Sequence, residues 1–182
     1  MRNFRRKCLR ATIFAVLVLV SCALYSCDNL PNDCASKLKT PFRAEVEGEV
    51  DGDAIAATVY CDPTVHKTKE IYDKITVTFK GGALDGITVT LRSDNKATVR
   101  LRNFKEALPL YSGLVEPFTA LCPETKPYSV KKTADGYEIV FKEKKMTVTC
   151  YFDGEGIIKR AEGEVCGRQV DLNVTKFEQL PK

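Results

Sequence analysis

The chain has 182 residues, with 28 Lys and Arg against 24 Asp and Glu, a formal net charge of +4. That length suits one domain with an appendage and is too short for two ordinary domains. Its hydrophobic share of 44% and charged share of 29% are globular values, which exclude wholesale disorder and a polytopic membrane protein.

Residues 1–21 have the three parts of a secretory signal. Arg2, Arg5, Arg6, Lys7 and Arg10 form a basic stretch without an acid, and Ala11 to Val20 is an unbroken apolar run. A run that short does not cross roughly 30 Å of hydrocarbon as a helix. Leu19-Val20-Ser21-Cys22 then resembles a bacterial lipobox. Leu24-Tyr25-Ser26-Cys27 is a second candidate, with a bulky Tyr where the pattern wants a small residue. The resemblance implies cleavage before Cys22, diacylation of its thiol, and anchoring by acyl chains (palmitate) to the outer face of the bacterial cell membrane. Cys27 is the alternative anchor. Several acyl chains give stable anchoring, because each buried CH₂ adds about 0.8 kcal/mol. Removing the five basic residues before Cys22 leaves 23 basic against 24 acidic groups, a net charge of −1. The mature chain then offers no basic field for nucleic acid.

Residues 22–41 carry Pro, Asn, Asp and Ser without periodicity and read as a flexible tether. A single domain, 42–182, follows. Asp-Gly pairs at 51–52, 85–86, 135–136 and 153–154 punctuate alternating apolar and polar residues. Such pairs suit tight type I′ turns, which need positive φ at both central positions. A further turn is expected at Ser93-Asp94-Asn95-Lys96. Between the turns the pattern predicts about ten strands: 42–50, 54–61, 71–80, 86–92, 97–103, 127–133, 137–142, 146–152, 156–165 and 169–177. Val46, Val59, Ile75, Val77, Phe79, Val89, Leu91, Leu101, Ile139, Phe141, Val148 and Leu172 share the apolar face. Thr76, Thr78, Thr88, Thr90, Thr147 and Thr149 line the other. A sheet with one apolar face must curl or be covered.

The cover is expected from residues 108–122, where Leu114, Val115, Phe118 and Leu121 fall at helical spacing. Pro117 splits that stretch or starts a short helix, and Pro123 ends it. The fold class is therefore mainly β (α+β), a curved antiparallel sheet or half-barrel with a short helical cover. One internal echo stands out: Gly48-Glu49-Val50-Asp51-Gly52 and Gly163-Glu164-Val165-Cys166-Gly167. It places Cys166 in a hairpin turn.

The lipobox, tether, ten-strand layout and central helical segment together resemble the lipoprotein-carrier superfamily, the group of LolA, LolB and LppX. Segments such as Lys74 to Phe79 and Asp85 to Leu91 look typical of lipoproteins with this sheet. The resemblance implies an incompletely closed sheet whose concave face holds acyl chains beneath helices. On that reading Val77, Phe79, Val89, Leu91, Leu114 and Phe118 are the ligand-cavity candidates. The cover is shorter than that of the carriers, which argues for a small cavity, and packing competes with ligand contact at every inward position.

The residues for catalysis are sparse. Gly81-Gly82 does not sit between a strand and a helix, as a phosphate loop would. His66 stands alone among lysines, without the second His of a metal pair. No cofactor or metal is expected, and no enzymatic activity. Cys61, Cys122, Cys150 and Cys166 lie in the domain and Cys34 in the tether, with no C-x-x-C spacing. Export would permit disulfides, in any of three pairings of the four domain cysteines. Parity puts Cys61 and Cys150 on the apolar face, and a hairpin at Asp153-Gly154 sets Cys150 opposite a residue near 159, away from Cys166. Free thiols are the reading that a self-sufficient sheet favours. Two functions compete: binding or sensing of a lipid or other amphiphile in the concave sheet, or a scaffold with a packed core that contacts an envelope protein partner.

Overall fold

Alternating segments joined by tight turns pair with their sequence neighbours, and here that rule accounts for all but one strand pairing. The computed structural model describes residues 30–64, 71–101, 104–107 and 112–181. Among them eleven strands form one curved, open antiparallel sheet. These are β1 (Phe42–Val50), β2 (Asp53–Cys61), β3 (Asp73–Phe79), β4 (Thr88–Arg92), β5 (Ala97–Leu101) and β6 (Phe104–Ala107). The second half holds β7 (Ser129–Lys132), β8 (Gly136–Glu143), β9 (Met146–Asp153), β10 (Ile158–Val165) and β11 (Arg168–Gln179). The order is β6-β5-β4-β3-β2-β1-β11-β10-β9-β8-β7, so two meanders are joined by the first and last strands. Each of the ten predicted strands has its counterpart. The eleventh, β6, pairs with β5 and is too short for its alternation to register.

The echoed pentapeptides form matching hairpins. Asp51 and Gly52 have φ of 53° and 85°, and Cys166 and Gly167 have φ of 53° and 82°, the positive pair that a type I′ turn demands. The two turns adjoin: Asp51 accepts from Arg168 Nε at 2.7 Å and from the Gln169 N–H at 2.8 Å. The other Asp-Gly pairs turn differently. Asp85 keeps a φ of −53° before Gly86 at 75°. Gly136 opens β8, and Asp153 caps its own loop by accepting from the Glu155 and Ile157 N–H groups.

Inward residues build one core. Val46, Val59, Val77, Val89, Ile139, Phe141, Val148 and Leu172 are buried, together with Val115, Phe118 and Leu121 from the cover. Leu101, expected on this face, is instead 43% exposed at the end of β5, where the sheet nears its edge. On the outer face Thr76 bonds Thr90 and Thr78 bonds Thr88, each at 3.0 Å, as cross-strand partners should. Arg160 grips Asp171 there with two bonds at 2.6 and 2.7 Å, joining β10 to β11.

The expected tether needs correction. Leu30–Lys37 is helix α1, and Cys34, Ala35 and Leu38 are buried in the core. Pro31 and Asp33, which read as loop residues, suit the first turn of a helix. Lys37 donates to the Glu155 carbonyl, and Gln179 binds Thr40. The domain thus takes in residues 30–41, and the rest of the expected tether lies outside the described residues.

The middle segment forms two short pieces, helix α2 (Ser112–Val115) and a 3-10 helix (Glu116–Leu121) with Pro117 in its first turn. The segment leaves β6 at one edge of the sheet and reaches β7 at the other, and so crosses the apolar face. Its register is held by Arg168, whose guanidinium donates to the Gly113 carbonyl at 2.8 Å.

Gly48 and Gly163, the first residues of the two echoes, sit where backbone meets backbone. An added Cβ would lie 1.9 Å from the Asp171 carbonyl oxygen at Gly48 and 2.2 Å from that of Thr147 at Gly163. Gly48→Ala and Gly163→Ala should each cost about 3 kcal/mol in urea unfolding. Gly113→Ala, with open space around it, should change stability by less than about 1 kcal/mol. Equal effects at all three sites would contradict the close approach.

Candidate functional site

Face parity alone does not say where along a strand a cavity opens. The six candidate residues divide accordingly. Val77, Phe79, Val89 and Phe118 are buried, and Phe79 and Phe118 meet edge to face with ring centroids 5.9 Å apart. Leu114 packs partly buried against the same core. Leu91 borders a cleft at the other end of the cover, and there the structure assembles residues the sequence pattern had not singled out.

This cleft has a volume of about 680 Å³. Its apolar floor comes from Leu38 after α1, Ile75 of β3, Leu91 of β4 and Met146 of β9. Thr119, Cys122 and Pro123 from the crossing segment form its roof, and Cys61 and Cys166 also line it. Lys39, Lys74, Lys145, Glu116, Glu124 and Glu143 bring charge to the rim. The floor side chains expose little surface themselves, so the space lies over the core rather than within it.

Three contacts hold the roof to its walls. Lys74 pairs with Glu124 at 2.9 Å, and Glu143 accepts from the Glu124 and Thr125 N–H groups at 2.8 and 3.1 Å. Partial burial is the largest single influence on Lys74 and opposes its charge. The hydrogen bond and attraction of Glu124, with Tyr72 and Glu143 adding, outweigh it and raise the ammonium pKa. The signal for this arrangement is long-range: Lys74 and Glu124 are fifty residues apart in the chain. No local pattern joins them.

The five described cysteines are free thiols. Cys61 and Cys150 are buried on the apolar face, as parity requires, and Cys150 stands opposite Ala161 in the β9–β10 register. Cys166 is exposed in its turn. Burial drives the Cys150 thiol up to about 12. Among the described residues no group of three or more His, Cys, Asp or Glu could hold a metal ion. His66, Cys22 and Cys27 lie outside the described residues. No described helix is long and apolar enough to cross a membrane.

No protein-family model matches the chain, and no curated protein matches it. Among solved structures, it is similar to an uncharacterized conserved protein from Thermus thermophilus. That match has 16% identity and a TM-score of 0.44, covering 85% of this chain and 88% of that one. MucB is similar at 9% identity and a TM-score of 0.39, covering 81% of this chain and 58% of MucB. The MucA/MucB complex of Pseudomonas aeruginosa gives 9% identity and a TM-score of 0.37, with 82% and 56% covered. The chain thus spans little more than half the length of MucB.

The Lys74–Glu124 pair gives a direct test of how the roof is held. A double-mutant cycle with Lys74→Met and Glu124→Gln should return a coupling of about 0.5–1 kcal/mol at neutral pH, since both side chains are partly exposed. A raised lysine pKa contributes stability that is complete below the ordinary value of 10.5 and is lost as pH rises through the raised one. The coupling should therefore vanish in strong alkali. A coupling that persists there would show that the two residues interact by packing instead.

Proposed function

We propose that this chain is a non-enzymatic, exported lipoprotein, anchored through acyl chains on Cys22 to the outer face of the bacterial cell membrane, that binds a small amphiphile in the cleft. The observation that carries the ligand half is the cleft itself. Its volume of about 680 Å³ falls in the usual range for small-molecule sites, roughly 300–1,000 Å³. An apolar floor of Leu38, Ile75, Leu91 and Met146 suits a short hydrocarbon chain, and the rim lysines suit an anionic headgroup. The anchor half rests on the sequence of residues 1–22, with Cys27 as the alternative.

A second reading has its own observation. Strand β7 at one sheet edge is exposed along its length, with Tyr128 67% and Val130 42% exposed beside it and within it. An open edge of that kind can accept a strand from a protein partner in the envelope.

Native mass spectrometry of residues 28–182, which keep α1, separates the two readings. With added lauric acid or a lysophospholipid, a one-to-one complex should form. Thr119→Trp, which fills the cleft, should weaken it at least tenfold with the circular dichroism unchanged. Tyr128→Glu with Val130→Lys should leave uptake intact. No complex with either amphiphile, or equal uptake by Thr119→Trp, would overturn the ligand reading. In the full chain, Cys22→Ala should abolish incorporation of labelled palmitate; labelling lost only with Cys27→Ala would move the anchor.

A further inference from the structure

Cys61 closes β2 and faces Ile75 across the β2–β3 ladder, its thiol donating to the Lys74 carbonyl at 3.4 Å. Cys122 ends the 3-10 helix, its N–H bonded to the Thr119 carbonyl at 2.9 Å. These two side chains share the cleft wall, and the two thiols are close enough to influence one another. The approach is fixed from outside the pair: Lys74, whose carbonyl holds the Cys61 thiol, also holds Glu124, two residues beyond Cys122. The other described thiols sit in different settings. Cys150 is buried against the Ala120 carbonyl at 3.6 Å, Cys34 lies beneath Gly156, and Cys166 is exposed in its turn. Cys122 is partly exposed on the cleft wall, whereas Cys61 is buried.

We propose that Cys61 and Cys122 are a thiol–disulfide pair that, when oxidised, fastens the crossing segment to β2 along the cleft wall. The oxidant is a disulfide, either a small molecule or an oxidised dithiol of another protein. The Cys122 thiolate attacks one of its sulfurs, forming a mixed disulfide and expelling the first thiol. The Cys61 thiolate then attacks the Cys122 sulfur, forming the internal bond and expelling the second. Two protons and two electrons pass to the incoming disulfide, which leaves as two thiols. Burial, and next the neighbouring Cys61 thiol, raise the Cys122 pKa, so the attacking thiolate is scarce and exchange is slow without an oxidant. The bond closes a loop of about 60 residues that contains β3 to β6, constraining the unfolded chain strongly. The proposal uses export only as the source of oxidising conditions and is independent of any ligand.

The full chain, purified reduced, is titrated with oxidised glutathione, quenched in acid and alkylated with N-ethylmaleimide. Mass spectrometry of the unreduced digest should find a Cys61–Cys122 linked peptide in a protein lighter by two hydrogens. Its melting midpoint should rise by roughly 10 °C over the reduced form. Cys122→Ser should abolish both changes, and Cys166→Ser should leave both in place. Complete alkylation of Cys61 and Cys122 after oxidation and denaturation would overturn the proposal. A linked peptide joining Cys122 to Cys150 instead, or a rise in the midpoint that survives Cys122→Ser, would overturn it equally.

Discussion

The structure depends on one connection. Because β1 and β11 pair at the centre, each meander runs outward, and β6 and β7 finish at opposite edges. The chain between them must travel the full width of the sheet. It crosses the apolar face, since crossing the threonine face would leave the core in water and the apolar side chains of the segment unburied. Burial of Val115, Phe118 and Leu121 along that path stabilises the fold by about 1.5–3 kcal/mol for each large side chain. Two short helical pieces suffice because Pro117 allows a first turn and denies a long helix.

A short cover leaves part of the concave face unfilled, and the cleft follows from that shortfall. Where Phe118 reaches the sheet it meets Phe79, and the space closes. Past Leu121 the segment thins to Cys122 and Pro123, and the space between β2–β4 and the β8–β9 turn stays open. Charges gather at this end for a physical reason: the turn residues Glu143 and Lys145 and the strand-start residue Lys74 lie at the water boundary. Glu124 returns the crossing segment to the sheet through Lys74, so the element that makes the core also supplies the wall of the cleft.

Much of this was legible in the sequence. Period-2 alternation located ten strands, and the echo at Gly48 and Gly163 marked the two matching hairpins. Two elements escaped. Among the helix α1 residues whose side chains are described, Cys34 and Ala35 are buried, with Leu38 just beyond the helix, and its Pro31 and Asp33 read equally well as loop or as helix start. Strand β6 is a four-residue segment whose partner supplies its structure. For the site, parity assigned Leu91 to the right face but could not give its depth along the sheet. Val77, Phe79 and Val89 share that parity and lie farther from the opening, toward Phe118. The Lys74–Glu124 pair and the Cys61–Cys122 contact are products of the crossing segment's path, which no local pattern encodes.

The crossing segment makes one cleft with the ends of β2, β3 and the β8–β9 turn, the site proposed to take the amphiphile. Hydrogen–deuterium exchange of residues 28–182, with and without saturating lysophospholipid, tests it most directly. Added protection should be confined to residues 61–64, 74–76, 116–125 and 143–146, with the threonine face unchanged. Protection that falls instead on β7, or on the outer strands around Thr78 and Thr88, would contradict it.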